Sequence, residues 1–202
     1  MLLNLHSLVK KYDLKISGVV HIGAHFGEEY DLYKSLQINE MLFFEPAKSN
    51  FQQLVSRVPK ELCINKALGN YHGTAFMNIE TANLGQSNSI LEPELHLQQY
   101  PNIIFEGKEE IDVTMLDSYE TDKFNLINMD VQGYELEVLK GATKTLNHID
   151  YIISEVNIDN VYTDCAKLHE VDAFLRDFGF NRLETNMAGT TWGDAFYAKN
   201  NL

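Results

Sequence analysis

The stretch Val19-Val20-His21-Ile22-Gly23-Ala24-His25-Phe26-Gly27-Glu28-Glu29 narrows what this chain can fold into more than any other. An apolar β-branched run that breaks into a glycine turn and then a helical pattern is the opening strand, loop and helix of an α/β nucleotide-binding unit. The turn calls for small residues because a ligand packs against its backbone. A second apolar run, Met41-Leu42-Phe43-Phe44, stops at Glu45-Pro46. Glu45 follows Gly23 by about 20 residues, the distance at which such folds place a carboxylate on both ribose hydroxyls of a nucleoside. The Gly23/Gly27 pair alone arises easily by chance. A strand before it, a helix after it and an acid at that distance make it a nucleoside site.

The rest of the chain extends this unit. Leu2, Leu5, Leu8, Val9 and Tyr12 have helical spacing, so residues 1–17 read as a cap helix ahead of the first strand. After the glycine loop, Tyr30, Leu32, Tyr33 and Leu36 continue an amphipathic helix with Glu28 and Glu29 in its first turn, and the loop amides before it are expected to be free for a ligand. A helix with Phe51, Leu54, Val55 and Val58 on one face ends at Pro59. A third strand is expected from Leu62 through Gly69, with a further short one over Thr74 to Ile79. Over 81–110 the pattern thins into Asn83, Gly85, Gln86, Ser87, Asn88 and Ser89, broken by Pro93 and Pro101, which reads as an acceptor-side loop.

Two more apolar strands then end in acids: Phe124 to Asp130, and Tyr151 to Glu155. Ligands in doubly wound sheets sit beyond the carboxyl ends of the strands, so Asp130 and Glu155 should face the same crevice as Gly23 and Glu45. A helix carrying Leu168, Val171, Phe174, Leu175 and Phe178 follows. Phe180 to Leu183 and Ala195 to Ala198 come too close together for a crossover helix, so they read as an antiparallel pair. The expected fold is α/β, one domain over 1–202, with a mostly parallel sheet closed by that pair.

Composition limits the partners. With 16 Lys+Arg against 29 Asp+Glu, the net charge of −13 speaks against nucleic acid or an anionic membrane. Cys63 and Cys165 stand far apart with no metal or disulfide spacing, and His6, Ser7, Lys10 and Lys11 interrupt the apolar start too soon for a signal peptide or membrane span. A reducing, cytoplasmic setting is the expectation. Oligomeric state is not legible.

Several words in order resemble the FkbM family of methyltransferases. They are the glycine loop from Val20 to Glu29, Phe44-Glu45-Pro46, Ala67-Leu68-Gly69, Ser89-Ile90, Leu116-Asp117-Ser118 and, the most specific, Met129-Asp130-Val131-Gln132-Gly133-Tyr134-Glu135. The likeness spans about Gly18 to Ala198. It implies a Rossmann-like class I methyltransferase fold, S-adenosylmethionine as cofactor, and a hydroxyl acceptor on a sugar, glycan or small metabolite. Carried over by position, it implies that Gly23, Ala24 and Gly27 line the methionine part, Glu45 holds the ribose, and Asp130 sits near sulfonium and acceptor. His21, His25, Pro46, Leu68 and Ser89 join the implied cofactor contacts. His21 stands where many members have an acid, and His25 where many have Asn.

Methyl transfer is mainly a matter of in-line positioning, and a hydroxyl acceptor must also lose its proton to a nearby base. The candidates are Asp130, Glu155 and His25, with Asp130 first; Glu135 and Glu137 read as structural, Glu135 by capping the turn before its helix. Asp130, Glu155 and a folded-back Asp194 would be oxygen ligands for a divalent cation, but no spacing demands a metal and none is expected. Two other readings compete: a nicotinamide-dependent reductase, opposed by the missing third glycine, and a non-catalytic nucleoside-binding module.

Overall fold

The computed structural model describes residues 2–199. Helix α1 (Leu5–Tyr12) starts at Asn4, whose side chain accepts a hydrogen bond from Ser7 N at 2.9 Å, and ends at Asp13 in a left-handed conformation. There follow β1 (Gly18–Ile22), α2 (Tyr30–Ser35), β2 (Glu40–Phe44), α3 (Lys48–Arg57), β3 (Cys63–Ile64), β4 (Ala67–Leu68) and β5 (Gly73–Glu80). The second half comprises α4 (Leu95–Gln99), β6 (Phe105–Thr114), β7 (Leu126–Met129), α5 (Glu135–Lys140), β8 (Tyr151–Asn157), α6 (Leu168–Asp177), β9 (Phe180–Ala188) and β10 (Trp192–Lys199).

Seven strands form the main sheet in the order β3-β2-β1-β7-β8-β10-β9. The first five run parallel; β10 is antiparallel to both β8 and β9, as the short spacing of the last two strands requires. Both faces of the parallel strands are covered, so alternate residues feed two cores. Val20, Ile22, Ile127, Met129 and Ile152 pack under α5 and α6, against Val138, Leu139, Val171 and Leu175. Val19, Phe43, Leu126, Ile153 and Phe196 pack under α1 to α3, against Leu5, Leu8, Tyr33 and Leu54. The cap helix is thus a sheet-covering element. No helix among the described residues is long and apolar enough to cross a membrane.

Two elements differ from the sequence reading. The expected third strand over Leu62 to Gly69 is two: β3 pairs with β2, while β4 leaves for a separate three-stranded sheet of order β4-β6-β5. Asn65 holds the break, its side-chain amide donating to the carbonyls of Glu45 and Pro46 at 2.8 and 2.9 Å. The loop over 81–110 also ends early, since residues 105–110 belong to β6 and pair antiparallel with β5. Within this stretch Glu106, Lys108 and Glu110 are exposed, so no apolar alternation marks it.

Register aligns the strand ends. Ile22 pairs with Phe44 and with Met129, and Met129 pairs with Ser154. The next residues, Gly23, Glu45, Asp130 and Glu155, therefore emerge along one edge of the sheet.

Candidate active site

Those four residues open onto a cavity of about 520 Å³ that also takes in His21, Ala24, His25, Pro46, Leu68 and Ser89. At Gly23 the backbone is left-handed (φ 76°), and an added Cβ would lie 2.0 Å from the Asp130 carbonyl oxygen. This glycine lets β1 and β7 converge under the ligand site. Gly27 (φ 73°) is also left-handed, but its missing Cβ faces Leu54 and Val58 at 2.8 Å. Gly27 therefore seats the loop on α3 and does not line the cavity. The expected free loop amides are not free either. Gly23 and Ala24 donate to the Phe44 carbonyl, both at 2.9 Å, and Gly27 to the Ala24 carbonyl at 2.8 Å. His25 N donates to Glu45 Oε2 at 2.8 Å and Phe26 N to Glu28 Oε2 at 3.2 Å. A six-residue α2 that begins only at Tyr30 leaves the turn to satisfy itself.

Glu45 is 5% exposed, and each carboxylate oxygen accepts one backbone N–H: Oε2 from His25 and Oε1 from Ala47 at 2.9 Å. Each oxygen keeps a lone pair for a further donor, which suits a vicinal diol. Pro46, Ala67, Leu68 and Met77 give this end an apolar wall. Burial pushes Glu45 up to about 7 from an ordinary 4.5. It also raises Glu135 to about 7, and Glu155 and Asp194 in the same direction.

The folded chain therefore binds these protons more tightly than the unfolded one. The stability they contribute is complete below 4.5 and is lost as pH climbs through about 7. The apoprotein should melt several degrees higher at pH 5 than at pH 8. A melting temperature that rises steadily over that range would contradict these burial effects.

His21 sits in a buried network. Asn128 Nδ2 donates to Tyr33 Oη at 2.6 Å, and Tyr33 Oη shares a hydrogen bond with His21 Nδ1 at 3.2 Å. Burial lowers His21, which favours the neutral ring. His25 has a different role from the proposed base. Its Nδ1 lies 2.7 Å from Glu28 Oε1 and its Nε2 2.9 Å from the Leu84 carbonyl. Both nitrogens are therefore engaged by groups of the protein itself. His25 ties the glycine loop to the 81–90 loop instead. That loop is ordered by Glu80, which accepts from Asn83 N and from Gly85 N, and by Ser89, whose hydroxyl donates to the Gln132 carbonyl at 2.7 Å.

Gln132, which the sequence reading passed over as part of a family word, organises the acidic end. Its backbone is left-handed (φ 54°), and its side-chain amide donates to Asp130 Oδ1 at 2.6 Å and Glu155 Oε2 at 2.9 Å. Its oxygen accepts from Tyr162 Oη at 2.6 Å. Burial and then the neighbouring Asp130 raise Glu155 well above the carboxylate range, so Glu155 is the member that holds a proton. Asp130 is half-buried and lines the cavity. Glu135 accepts from Val131 N and Gly133 N at 3.2 and 3.1 Å, the expected structural cap. Asp194 pairs with Glu155 across β8 and β10, but it is engaged by the amides of Leu2 and Leu3. Among the described residues no three His, Cys, Asp or Glu side chains are grouped to hold a metal ion.

Beyond this end stand Tyr100 and Trp192, joined by a 2.8 Å bond from Trp192 Nε1 to Tyr100 Oη. His96, 5.1 Å from the Tyr100 ring, shares a 3.0 Å hydrogen bond with Ser87 through Nε2, while its buried Nδ1 has no partner among the described residues. Leu2, Val161 and Ile103 complete the wall. His96 carried no signal in the sequence, and Leu2, read as part of the cap helix, lies ahead of α1 on the cavity wall.

This strand order, with an acid after the second strand and another after the fourth parallel strand of the main sheet, is the Rossmann-like fold of class I methyltransferases. The chain belongs to the FkbM methyltransferase family: the family model described as Methyltransferase FkbM domain matches residues 21–182. Among curated proteins it is 30% identical to the 2-O-methyltransferase NoeI of Sinorhizobium fredii over 96 residues, which are 46% of this chain and 40% of that protein. It is 39% identical to the hexuronic acid methyltransferase AglP of Haloferax volcanii over 54 residues, 27% of this chain and 23% of that protein. The crystal structure of methyltransferase FkbM from Methylobacillus flagellatus KT superposes with a TM-score of 0.55 at 17% identity, covering 90% of this chain and 43% of that one. The match thus spans less than half the length of each.

The cofactor is S-adenosylmethionine. The cavity fits it, with Glu45 open to a diol, an apolar wall for a purine, and carboxylates suited to a cationic sulfonium.

Proposed function

We propose that this chain is an O-methyltransferase acting on a hydroxyl of a sugar, glycan or small metabolite. The observation that carries this reading is the bridge Asp130–Gln132–Glu155, set in the same cavity as the ribose-ready Glu45. The cofactor supplies an electrophilic methyl group. Asp130 takes the proton of the attacking hydroxyl, and Gln132 holds its carboxylate toward the cavity. Glu155, protonated by its burial, adds little negative charge beside Asp130 and lets it stay the acceptor. Tyr162 fixes the Gln132 amide, so the bridge has one orientation. The names of the two curated relatives, a 2-O-methyltransferase and a hexuronic acid methyltransferase, support a sugar hydroxyl. Two unpaired cysteines accord with a reducing, cytoplasmic setting.

Calorimetric titration with S-adenosylhomocysteine, beside NADH and NADPH, tests the foundation. Saturable binding of S-adenosylhomocysteine that Glu45→Ala weakens by more than about tenfold, a loss of about 1.4 kcal/mol, is the expected result. Binding of a nicotinamide alone, or of nothing, would remove the methyltransferase reading.

A further inference from the structure

The cavity has a one-sided composition of ionisable groups. Among the described residues, five carboxylates line the cavity (Glu28, Glu29, Glu45, Asp130 and Glu155) and no Lys or Arg does. The histidines do not offset this. Burial lowers both His21 and His96, and His25 is engaged by Glu28 and the Leu84 carbonyl, where Glu28 matches any charge it carries. Gln132, the amide nearest the two acids, has its N–H groups on Asp130 and Glu155 and its oxygen on Tyr162. The side-chain amides of Asn50 and Asn88 lie together beside Gly85, next to α3 on the Glu45 side, and so serve the cofactor half.

An anionic group on the acceptor would therefore meet Asp130 with no Lys or Arg among the lining residues to receive it, an arrangement that selects against such partners. The same end offers a flat apolar surface, Trp192 braced by Tyr100, with Leu2, Val161 and Ile103 around it. A sugar ring has a C–H face that suits an aromatic plane and hydroxyl donors that suit carboxylates.

Resting on the methyltransferase reading above, we infer that the acceptor is an uncharged sugar, stacked on Trp192 and Tyr100 with its hydroxyls toward Asp130 and Glu155, and that uronates and sugar phosphates are refused. This would set the chain apart from its hexuronic acid methyltransferase relative.

The test uses the whole chain. S-adenosylhomocysteine affinity is measured first. Transfer of labelled methyl is then compared across matched methyl glycosides and oligosaccharides: neutral hexosides, the corresponding uronides and the corresponding 6-phosphates. Neutral members should exceed their charged partners by at least about tenfold in kcat/KM, the factor given by about 1.4 kcal/mol. Trp192→Ala should raise KM for the neutral sugar while leaving S-adenosylhomocysteine affinity unchanged. Ile103→Lys should move the preference toward the uronide, a shift that mere loss of folding would not produce. Uronides or phosphates methylated as well as neutral sugars overturn the inference. So does cofactor binding with no methylation of any neutral sugar, which leaves the cofactor reading intact. Absence of cofactor binding overturns both.

Discussion

Asp130→Asn should lower kcat by about 10² to 10⁴ on any acceptor the wild type methylates, the range a positioned base contributes. S-adenosylhomocysteine affinity should stay within a few-fold, because the amide keeps the size and place of the carboxylate. The expectation follows from the site's asymmetry. Of the two acids bridged by Gln132, Glu155 is fully buried and retains its proton, whereas Asp130 is half-buried at the cavity. Deprotonation of the acceptor hydroxyl therefore falls to Asp130. Glu155→Gln supplies the contrast: it removes a carboxyl that burial already holds neutral, so its loss of kcat should be much smaller. If Glu155→Gln proves the more damaging change, the roles assigned here are reversed.

Gly23→Ala should be strongly destabilising. The left-handed backbone costs a non-glycine residue about 1–2 kcal/mol, and overpacking adds about 1–3 kcal/mol more. The obstacle is the Asp130 carbonyl, 2.0 Å from the new Cβ, and that oxygen is backbone that cannot swing aside. Relief requires β1 and β7 to separate at their ends, where both the loop and Asp130 are set. At about 2–4 °C per kcal/mol for a chain of this size, melting should fall by roughly 4–20 °C, with cofactor affinity lost as well. Gly27→Ala is the control. It has a similar φ, but it meets only the ends of Leu54 and Val58 side chains, which can shift. It should cost less stability and leave much of the binding. Equal losses from the two would mean that the close approach at Gly23 is not the governing constraint.

The legible parts of the molecule were those whose signal is local. Apolar β-branched runs ending in Gly23, Glu45, Asp130 and Glu155 mark strands buried on both faces, and parallel register then places their ends together. The nearness of the last two strands settled their antiparallel pairing. Glu135 was readable as a cap because its partners lie within four residues.

What the sequence did not determine depends on partners distant along the chain. Gln132 gains its role only when β8 brings Glu155, and the segment after it brings Tyr162, to the turn it occupies. His25 has the residue type and position of a base, yet the 81–90 loop folds back and occupies its second nitrogen. Gly27 shares the spacing of a ligand glycine, and only the packing of α3 shows which way its missing side chain would point. Residues 106–110 of β6 carry no apolar alternation, so their pairing with β5 had no trace in residue order, although Thr74 to Ile79 read as a strand. Hydrophobic periodicity records burial against the nearest layer, and it specified the sheet and the edge where chemistry would gather. Which polar groups remain free on that edge was decided by hydrogen bonds between distant segments, 59 residues apart for His25 and Leu84 and 95 for Tyr33 and Asn128, and these exist only in the folded chain.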